Sequence, residues 1–206
     1  MSVDAVMLRI AELQQGLQPS TPASDGAAAP ASTFSALLAG QAGTTASAAL
    51  LPTASAAGQT AGQRALAAAQ GEVGVAEQPP GSNDAPRIAQ YRQATAGSGI
   101  GPWCAYFVSW AAQQAGTPLG EAGQGFGSVG AVASWAQRTG RWNPAGSGTP
   151  PQAGDLIVWG GHHIGIVESV DPDGSIHTIE GNSSNAVTRR THGADGDGAS
   201  GFVRLG

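Results

Sequence analysis

The stretch from Gln18 to Gln63 is the feature that most constrains what this chain can fold into. Its only charged residue is Asp25, and Ala, Ser, Thr, Gly and Pro make up most of the rest. A segment of this composition buries too little apolar surface to offset the entropy lost on ordering. We therefore predict a disordered low-complexity linker over residues 18–61, which leaves residues 62–206 to form the one sizeable core.

Residues 1–17 are predicted to hold a short amphipathic helix that begins after Ser2. Apolar residues recur there at helical spacing: Val3, Val6, Met7, Ile10, Leu13 and Leu17. Asp4, Arg9 and Glu12 interrupt the apolar core that a secretory signal would need, and no basic segment precedes it. The sequence therefore predicts neither a Sec-type signal nor a transmembrane span.

Cys104 is the only cysteine among the 206 residues, so it cannot form a disulfide within the chain. A lone cysteine is commonly a small buried apolar residue. Here, however, Pro102 suits the first turn of a helix, and Cys104 would then lie in that turn. The free N–H groups and the positive end of the helix dipole favour the nucleophilic thiolate there.

A histidine and an acid follow Cys104 on neighbouring predicted strands, an arrangement that cysteine catalysis can use. Residues 154–170 are typical of two apolar strands joined by a Gly-rich turn, with a histidine opening the second. A third strand over residues 175–181 contains Glu180, and Asn182 follows it. In acyl transfer the imidazole takes the thiol proton, while an acid or amide fixes the ring orientation.

No metal ion or other cofactor is predicted. His162 and His163 are neighbours on a strand and point to opposite faces, so only one of them can meet Cys104. With His177 they match no zinc-binding spacing. The Asp-Gly segments 171–174 and 195–198 lack the distal glutamate of a calcium loop, and turn formation accounts for them.

The charge of the predicted domain argues against nucleic-acid binding. From Ala61 onward, eight arginines face eleven acidic residues, which leaves a net charge of −3 without a basic run. Binding to phosphate backbones depends on clustered basic residues. We therefore expect no nucleic-acid partner.

Four motifs between about Ala65 and Leu205 resemble the CHAP family, the cysteine-histidine amidohydrolases/peptidases of bacterial cell-wall enzymes. These motifs are Pro102–Val108 (PWCAYFV), Gly154–Val158 (GDLIV), His163–Val167 (HIGIV) and Thr178–Asn182 (TIEGN). The resemblance implies a papain-like α+β fold in which the nucleophile helix packs on an antiparallel β-sheet. Residues 94–102 contain no carboxylate, so the calcium loop of some phage members is not expected.

The resemblance also implies a role for each matching residue. Cys104 would be the nucleophile, His163 rather than His162 the base, Glu180 the group that orients the imidazole, and Asn182 a polar auxiliary. Glu180 and Asn182 lie on one segment, so either could orient the ring. Three further residues are candidates for substrate binding: Trp103, which neighbours the nucleophile, and Ser82 and Asn83, at the rim of the groove.

The function implied is hydrolysis of an amide bond in peptidoglycan, either the muramoyl–alanine amide or a peptide bond of the stem or cross-bridge. We expect a monomer that acts in the cell wall, outside the cytoplasm. Two alternatives from other classes remain: a non-catalytic wall-binding module and a structural flagellar or phage component. Among enzymes the nearest alternative is an NlpC-type endopeptidase, which usually has a histidine as its third residue, where this chain has Glu180.

The route to the wall is a separate question. The opening segment and residues 34–38 are similar to the N-termini of small flagellar rod-associated proteins. This likeness suggests an export or assembly partner that binds residues 1–40. Release through a phage-type membrane hole is the other route that needs no Sec signal.

Overall fold

The computed structural model describes residues 58–206. The predicted N-terminal helix and nearly all of the predicted linker lie outside these residues. Within the described part, four helices cover Ala61–Gln70 (α1), Pro86–Gln93 (α2), Cys104–Gln114 (α3) and Val129–Arg138 (α4). None of them is long and apolar enough to cross a membrane.

Six strands form one antiparallel sheet in the order β1-β6-β2-β3-β4-β5. They cover Trp142–Pro144 (β1), Leu156–Trp159 (β2), His163–Val170 (β3), Ile176–Ser183 (β4), Ala186–His192 (β5) and Gly201–Val203 (β6). The predicted α+β class, with the nucleophile helix on an antiparallel sheet, is confirmed.

Helix α3 lies at the centre of the fold. It contacts β3 and β4 on the sheet side as well as α1 and α2, and its residues from Cys104 to Ala112 are all buried. Apolar residues around most of its circumference suit this position, because a helix covered on several sides has no face left for solvent. An aromatic cluster of Tyr91, Trp103, Phe107 and Trp110 fixes it against α2.

A close approach between Gly181 and Phe107 sets the distance between β4 and α3. A Cβ atom at Gly181 would lie 2.6 Å from the Phe107 Cβ, so only glycine allows the strand to pass there. Because β4 also carries Glu180, this contact helps to fix the carboxylate relative to the start of α3.

The beginning and the end of the described domain meet at α1. Thr60 and Gln63 form a reciprocal capping box, in which each side chain accepts a hydrogen bond from the other residue's backbone N–H. The backbone N–H of Gly62 donates to the carbonyl of Gly206 at 3.1 Å. The first turn of α1 is therefore bound to the last residue of the sequence.

Candidate active site

Cys104 is the first residue of α3 and is only 3% exposed. Cys104 lies in the first turn as the sequence indicated, but Trp103 is the N-cap, so Pro102 lies before the helix and not in its first turn. The Cys104 sulfur lies 4.0 Å from the backbone carbonyl oxygen of His162, and the Cys104 side chain is near enough to His163 to raise the pKa of the imidazole. The only thiol of the chain thus meets a histidine at a helix N-terminus.

His163 opens β3 and lies between the thiol and Glu180. Its Nε2 is 2.8 Å from Glu180 Oε2, a contact in which Nδ1 takes no part. Burial lowers the pKa of His163, but hydrogen bonds with Cys104 and Glu180 outweigh burial and raise the pKa from 6.5 to about 9. These neighbours therefore favour the imidazolium form of His163 near neutral pH.

The Glu180 side chain is only 4% exposed, and both of its oxygens are hydrogen-bonded. Oε1 accepts from the Thr178 hydroxyl at 2.7 Å and lies 2.7 Å from His192 Nε2. Burial raises the pKa of Glu180, but the hydrogen bonds from His163, Thr178 and His192 outweigh it and lower the pKa to about 2. Glu180 is therefore a carboxylate near neutral pH.

His162 and His163 have separate surroundings, as their adjacency in the sequence suggested. His162 lies in the turn before β3 and is exposed, whereas His163 is partly buried and reaches Glu180. The hairpin thus presents one ring to the buried carboxylate and the other to solvent.

Asn182 points away from His163. Its φ of 59° lies in the left-handed region, at an irregularity in the pairing of β4 with β5 that redirects the chain after Glu180. We assign its amide so that the nitrogen donates to Glu77 Oε1 at 3.1 Å and the oxygen accepts from the Trp103 backbone N–H at 3.2 Å. Asn182 therefore contacts the residue that caps α3, while Glu180 contacts the imidazole.

Trp103 does not line a groove, and this expectation from the sequence was wrong. Its side chain is fully buried, its indole N–H donates to Glu77 Oε1 at 2.9 Å, and its ring packs against Tyr91 and Phe107. A residue at the N-cap of a buried helix can turn into the core even when its neighbour faces a site. Trp103 therefore supports the start of α3 from inside.

Ser82 and Asn83 lie in the turn between α1 and α2 and are partly buried. The Ser82 hydroxyl donates to the carbonyl of Asp84 and accepts from the Asp84 backbone N–H. Asn83 has a left-handed φ of 55°, and its backbone N–H donates to Glu77 Oε2 at 3.0 Å. Both residues therefore build the turn around Glu77, and their contact with substrate stays a prediction.

Sequence reasoning missed two residues next to the site. Glu77 is only 2% exposed and joins Asn83, Trp103 and Asn182. A buried Glu cannot be told from a surface Glu by composition, and Glu77 stands in no recognisable motif. His192 follows Glu180 by twelve residues and meets it only through the pairing of β4 with β5.

Residues 58–206 contain no group of three or more His, Cys, Asp or Glu side chains arranged to hold a metal ion. The polar side chains near Cys104 form hydrogen bonds with one another instead: His163 with Glu180, and Glu180 with Thr178 and His192. The described site is thus a chain of hydrogen-bonded side chains that starts at a thiol.

A thiol at a helix start, near a histidine that a buried carboxylate holds, is the arrangement found in cysteine–histidine hydrolases. Residues 95–182 match the family model of the CHAP domain, and this span includes Cys104, His163, Glu180 and Asn182. The match at residues 95–182 implies the amidase or peptidase activity of the peptidoglycan-hydrolase type that CHAP domains have on the cell wall. No curated protein matches the sequence.

Proposed function

We propose that the protein hydrolyses an amide bond of peptidoglycan through a thioester on Cys104, with His163 as general base and acid. The observation that carries the proposal is the 2.8 Å contact of His163 Nε2 with Glu180 Oε2, together with the nearness of the Cys104 side chain, which raises the pKa of His163. This arrangement provides an activated nucleophile, a proton carrier and a group that orients the carrier.

In acylation, the Cys104 thiolate attacks the amide carbonyl carbon and a new S–C bond forms. The thiol proton, held by His163, passes to the leaving nitrogen as the C–N bond breaks. The backbone N–H of Cys104 has no acceptor within the helix, because it belongs to the first turn of α3. It is therefore suited to donate to the oxyanion of the tetrahedral intermediate.

Deacylation uses the same histidine with a different charge balance. Once the sulfur is part of a thioester, the contribution of Cys104 to the raised pKa of His163 is gone. Burial then opposes the imidazolium with only Glu180 to stabilise it, so the neutral ring can take a proton from water. The hydroxide equivalent attacks the thioester carbonyl, the S–C bond breaks, and the proton returns to sulfur.

We assign the orienting role to Glu180, because Asn182 bonds to Trp103 and Glu77 instead of the imidazole. The role of Asn182 is then to hold the backbone one residue before the nucleophile. A carboxylate in the third position, instead of a histidine, also favours the CHAP type of mechanism over the NlpC type.

The bond attacked is either the muramoyl–alanine amide or a peptide bond of the stem or cross-bridge. Action on the wall requires transfer out of the cytoplasm, and residues 1–40 are our candidate for contact with a flagellar export or assembly partner. A wall-binding or structural role without catalysis is the second candidate function. The intact hydrogen-bonded set around Cys104 favours the enzyme.

Mass spectrometry of muropeptides released from purified peptidoglycan tests activity and identifies the bond from the new termini. Wild type should release fragments, whereas Cys104→Ala should lose about a thousandfold or more of the rate, because it lacks the nucleophile. His163→Ala should lose activity similarly, and His162→Ala, which alters an exposed ring, should keep most of it. Clearance of wall by Cys104→Ala at the wild-type rate would exclude the enzyme, and loss in His162→Ala alone would reassign the base.

A further inference from the structure

Glu180 is bonded by two histidines, one on each carboxylate oxygen. Oε2 faces His163 at 2.8 Å, whereas Oε1 faces His192 Nε2 at 2.7 Å. The His192 side chain is only 14% exposed and comes from the end of β5, one strand beyond the strand that carries Glu180. The mechanism above uses the first contact and leaves the second without a role.

His192 is itself held from the outside. Its Nδ1 lies 2.9 Å from Asp197 Oδ2, in the loop between β5 and β6. Both ring nitrogens thus face carboxylate oxygens, and only a ring with a proton on each nitrogen can donate to both. The other groups against this ring are the Thr178 hydroxyl of β4, 3.2 Å from Nε2, and the Trp159 ring of β2.

Trp159 contacts both histidines. Its ring centroid is 5.4 Å from that of His163 and 4.9 Å from that of His192. Its own indole N–H donates to the carbonyl of Gly196 at 2.7 Å, so the ring is fixed by the loop that carries Asp197. The two imidazole rings therefore pack against the same indole ring, and Glu180 forms a hydrogen bond with each of them.

We propose that His192 is a positioning residue for the hydrolysis, and that it holds Glu180 in the rotamer that places Oε2 on His163. Asp197 in turn orients His192. This rests on the proposed function. A glutamate side chain has three rotatable bonds, so a single hydrogen bond does not fix its position. Without His192, Oε1 would be held only by the hydroxyl of Thr178, which lies on the same strand as Glu180. Partners of this outer kind commonly change activity by about 10–100-fold when removed.

Three substitutions of His192 in the full chain separate the contacts. The amide nitrogen of His192→Gln replaces Nε2 and still reaches Glu180. In His192→Asn the shorter amide replaces Nδ1 and reaches only Asp197, and in His192→Phe a ring remains against Trp159 without any donor. His177→Gln is the matched control, because His177 also bonds an aspartate and a threonine on this sheet, Asp171 and Thr191.

The primary measurement is the rate at which iodoacetamide alkylates Cys104 between about pH 5 and pH 9, which needs no substrate. Loss of the Glu180 contact lowers the pKa of His163, so less of the imidazolium–thiolate pair remains near neutral pH. We expect the alkylation rate near pH 6.5 to fall about fivefold or more in the Asn and Phe variants, because the hydrogen bond with Glu180 stabilises the charged form of His163. The Gln variant and His177→Gln should stay within about twofold, and peptidoglycan hydrolysis should follow the same order.

Equal profiles for the Gln and Asn variants would overturn the proposal, as would a folded Phe variant with the wild-type profile. A comparable loss in His177→Gln would also overturn it, because the effect would then be general to the sheet. If the Phe variant does not fold, the Gln–Asn comparison decides. Hydrolysis that persists in Cys104→Ala would defeat the proposed function, while the alkylation profile would still report on His192.

Discussion

Gly165 shows how a single residue without a side chain shapes the site. It lies on β3 two residues after His163, where a Cβ atom would be 2.8 Å from Glu180 Cγ and 3.3 Å from the carbonyl oxygen of Ile179. The absence of a side chain therefore leaves the space that the Glu180 stem occupies. The glycine of the His-Ile-Gly-Ile-Val motif is therefore required because a larger residue would collide with the Glu180 side chain.

We predict that Gly165→Ala displaces Glu180 and lowers hydrolysis by about 10–100-fold, in the range for loss of an orienting partner. Overpacking should also cost about 1–3 kcal/mol of unfolding free energy. Gly161→Ala in the same hairpin is the control, because a Cβ there meets nothing within 4 Å. Hydrolysis rates and urea unfolding of both variants check this, and equal activity in the two would show that Glu180 tolerates the added methyl group.

At the scale of residues, the sequence predicted those members of the site that belong to recognisable motifs. Cys104, His163 and Glu180 were singled out from motif order, and the structure brings them together. Trp103 was misjudged, because adjacency along the chain says nothing about which way an N-cap side chain turns. His192 was missed because its contact with Glu180 depends on the register of β4 against β5, which no local pattern specifies.

At the scale of elements, the buried Glu77 joins three parts of the fold. It lies between α1 and α2, accepts hydrogen bonds from the Trp103 indole and the Asn83 backbone, and bonds Asn182 at the end of β4. Donors from separate elements therefore converge on one carboxylate. Its loss leaves several buried polar groups without partners at once.

We predict that Glu77→Ala lowers the free energy of unfolding by about 2–4 kcal/mol, because each buried donor left unpaired costs on the order of 1–3 kcal/mol. Urea unfolding at neutral pH measures the change. Glu121→Ala is the control, since Glu121 is exposed and pairs only with the exposed Arg138, and it should change stability little. If both variants are equally stable, the hydrogen bonds to Glu77 do not stabilise the fold.

The order of the strands along the chain could be predicted from the sequence, whereas the contacts between distant elements could not. Apolar runs separated by turn residues indicated β2, β3 and β4, and the Gly-Asp segment before β2 was recognised. Asp155 of that segment is 3% exposed and forms two hydrogen bonds with Arg204 next to the C-terminus. This long-range pair, like that of Glu77, depends on the completed fold and leaves no signature in local composition.

At the scale of the whole molecule, the start of the catalytic domain at residue 62 stays a prediction, and helix α1 bears on it. A boundary at residue 62 falls inside α1 and removes Thr60, whose hydroxyl accepts from the Gln63 backbone N–H at 3.1 Å. The preceding residues 58–60 therefore belong with the domain. The part of the chain before them was assigned by composition alone.

We predict that fragments 58–206 and 62–206 both hydrolyse purified peptidoglycan at close to the rate of the full chain, because both contain the whole described site. The shorter fragment should be less stable by about 1 kcal/mol, the usual effect of losing an N-cap. Thermal unfolding and rates of wall solubilisation measure both quantities. An insoluble or inactive 58–206 fragment would mean that residues before 58 complete the catalytic core.

The hydrogen bond from the Gly62 N–H to the Gly206 carbonyl has a consequence for modular architecture. Because Gly206 lies against the first turn of α1, residues before α1 and a segment fused after Gly206 would leave the domain from neighbouring points on its surface. The same geometry lets the hydrolase unit be attached at either end from a single point on its surface.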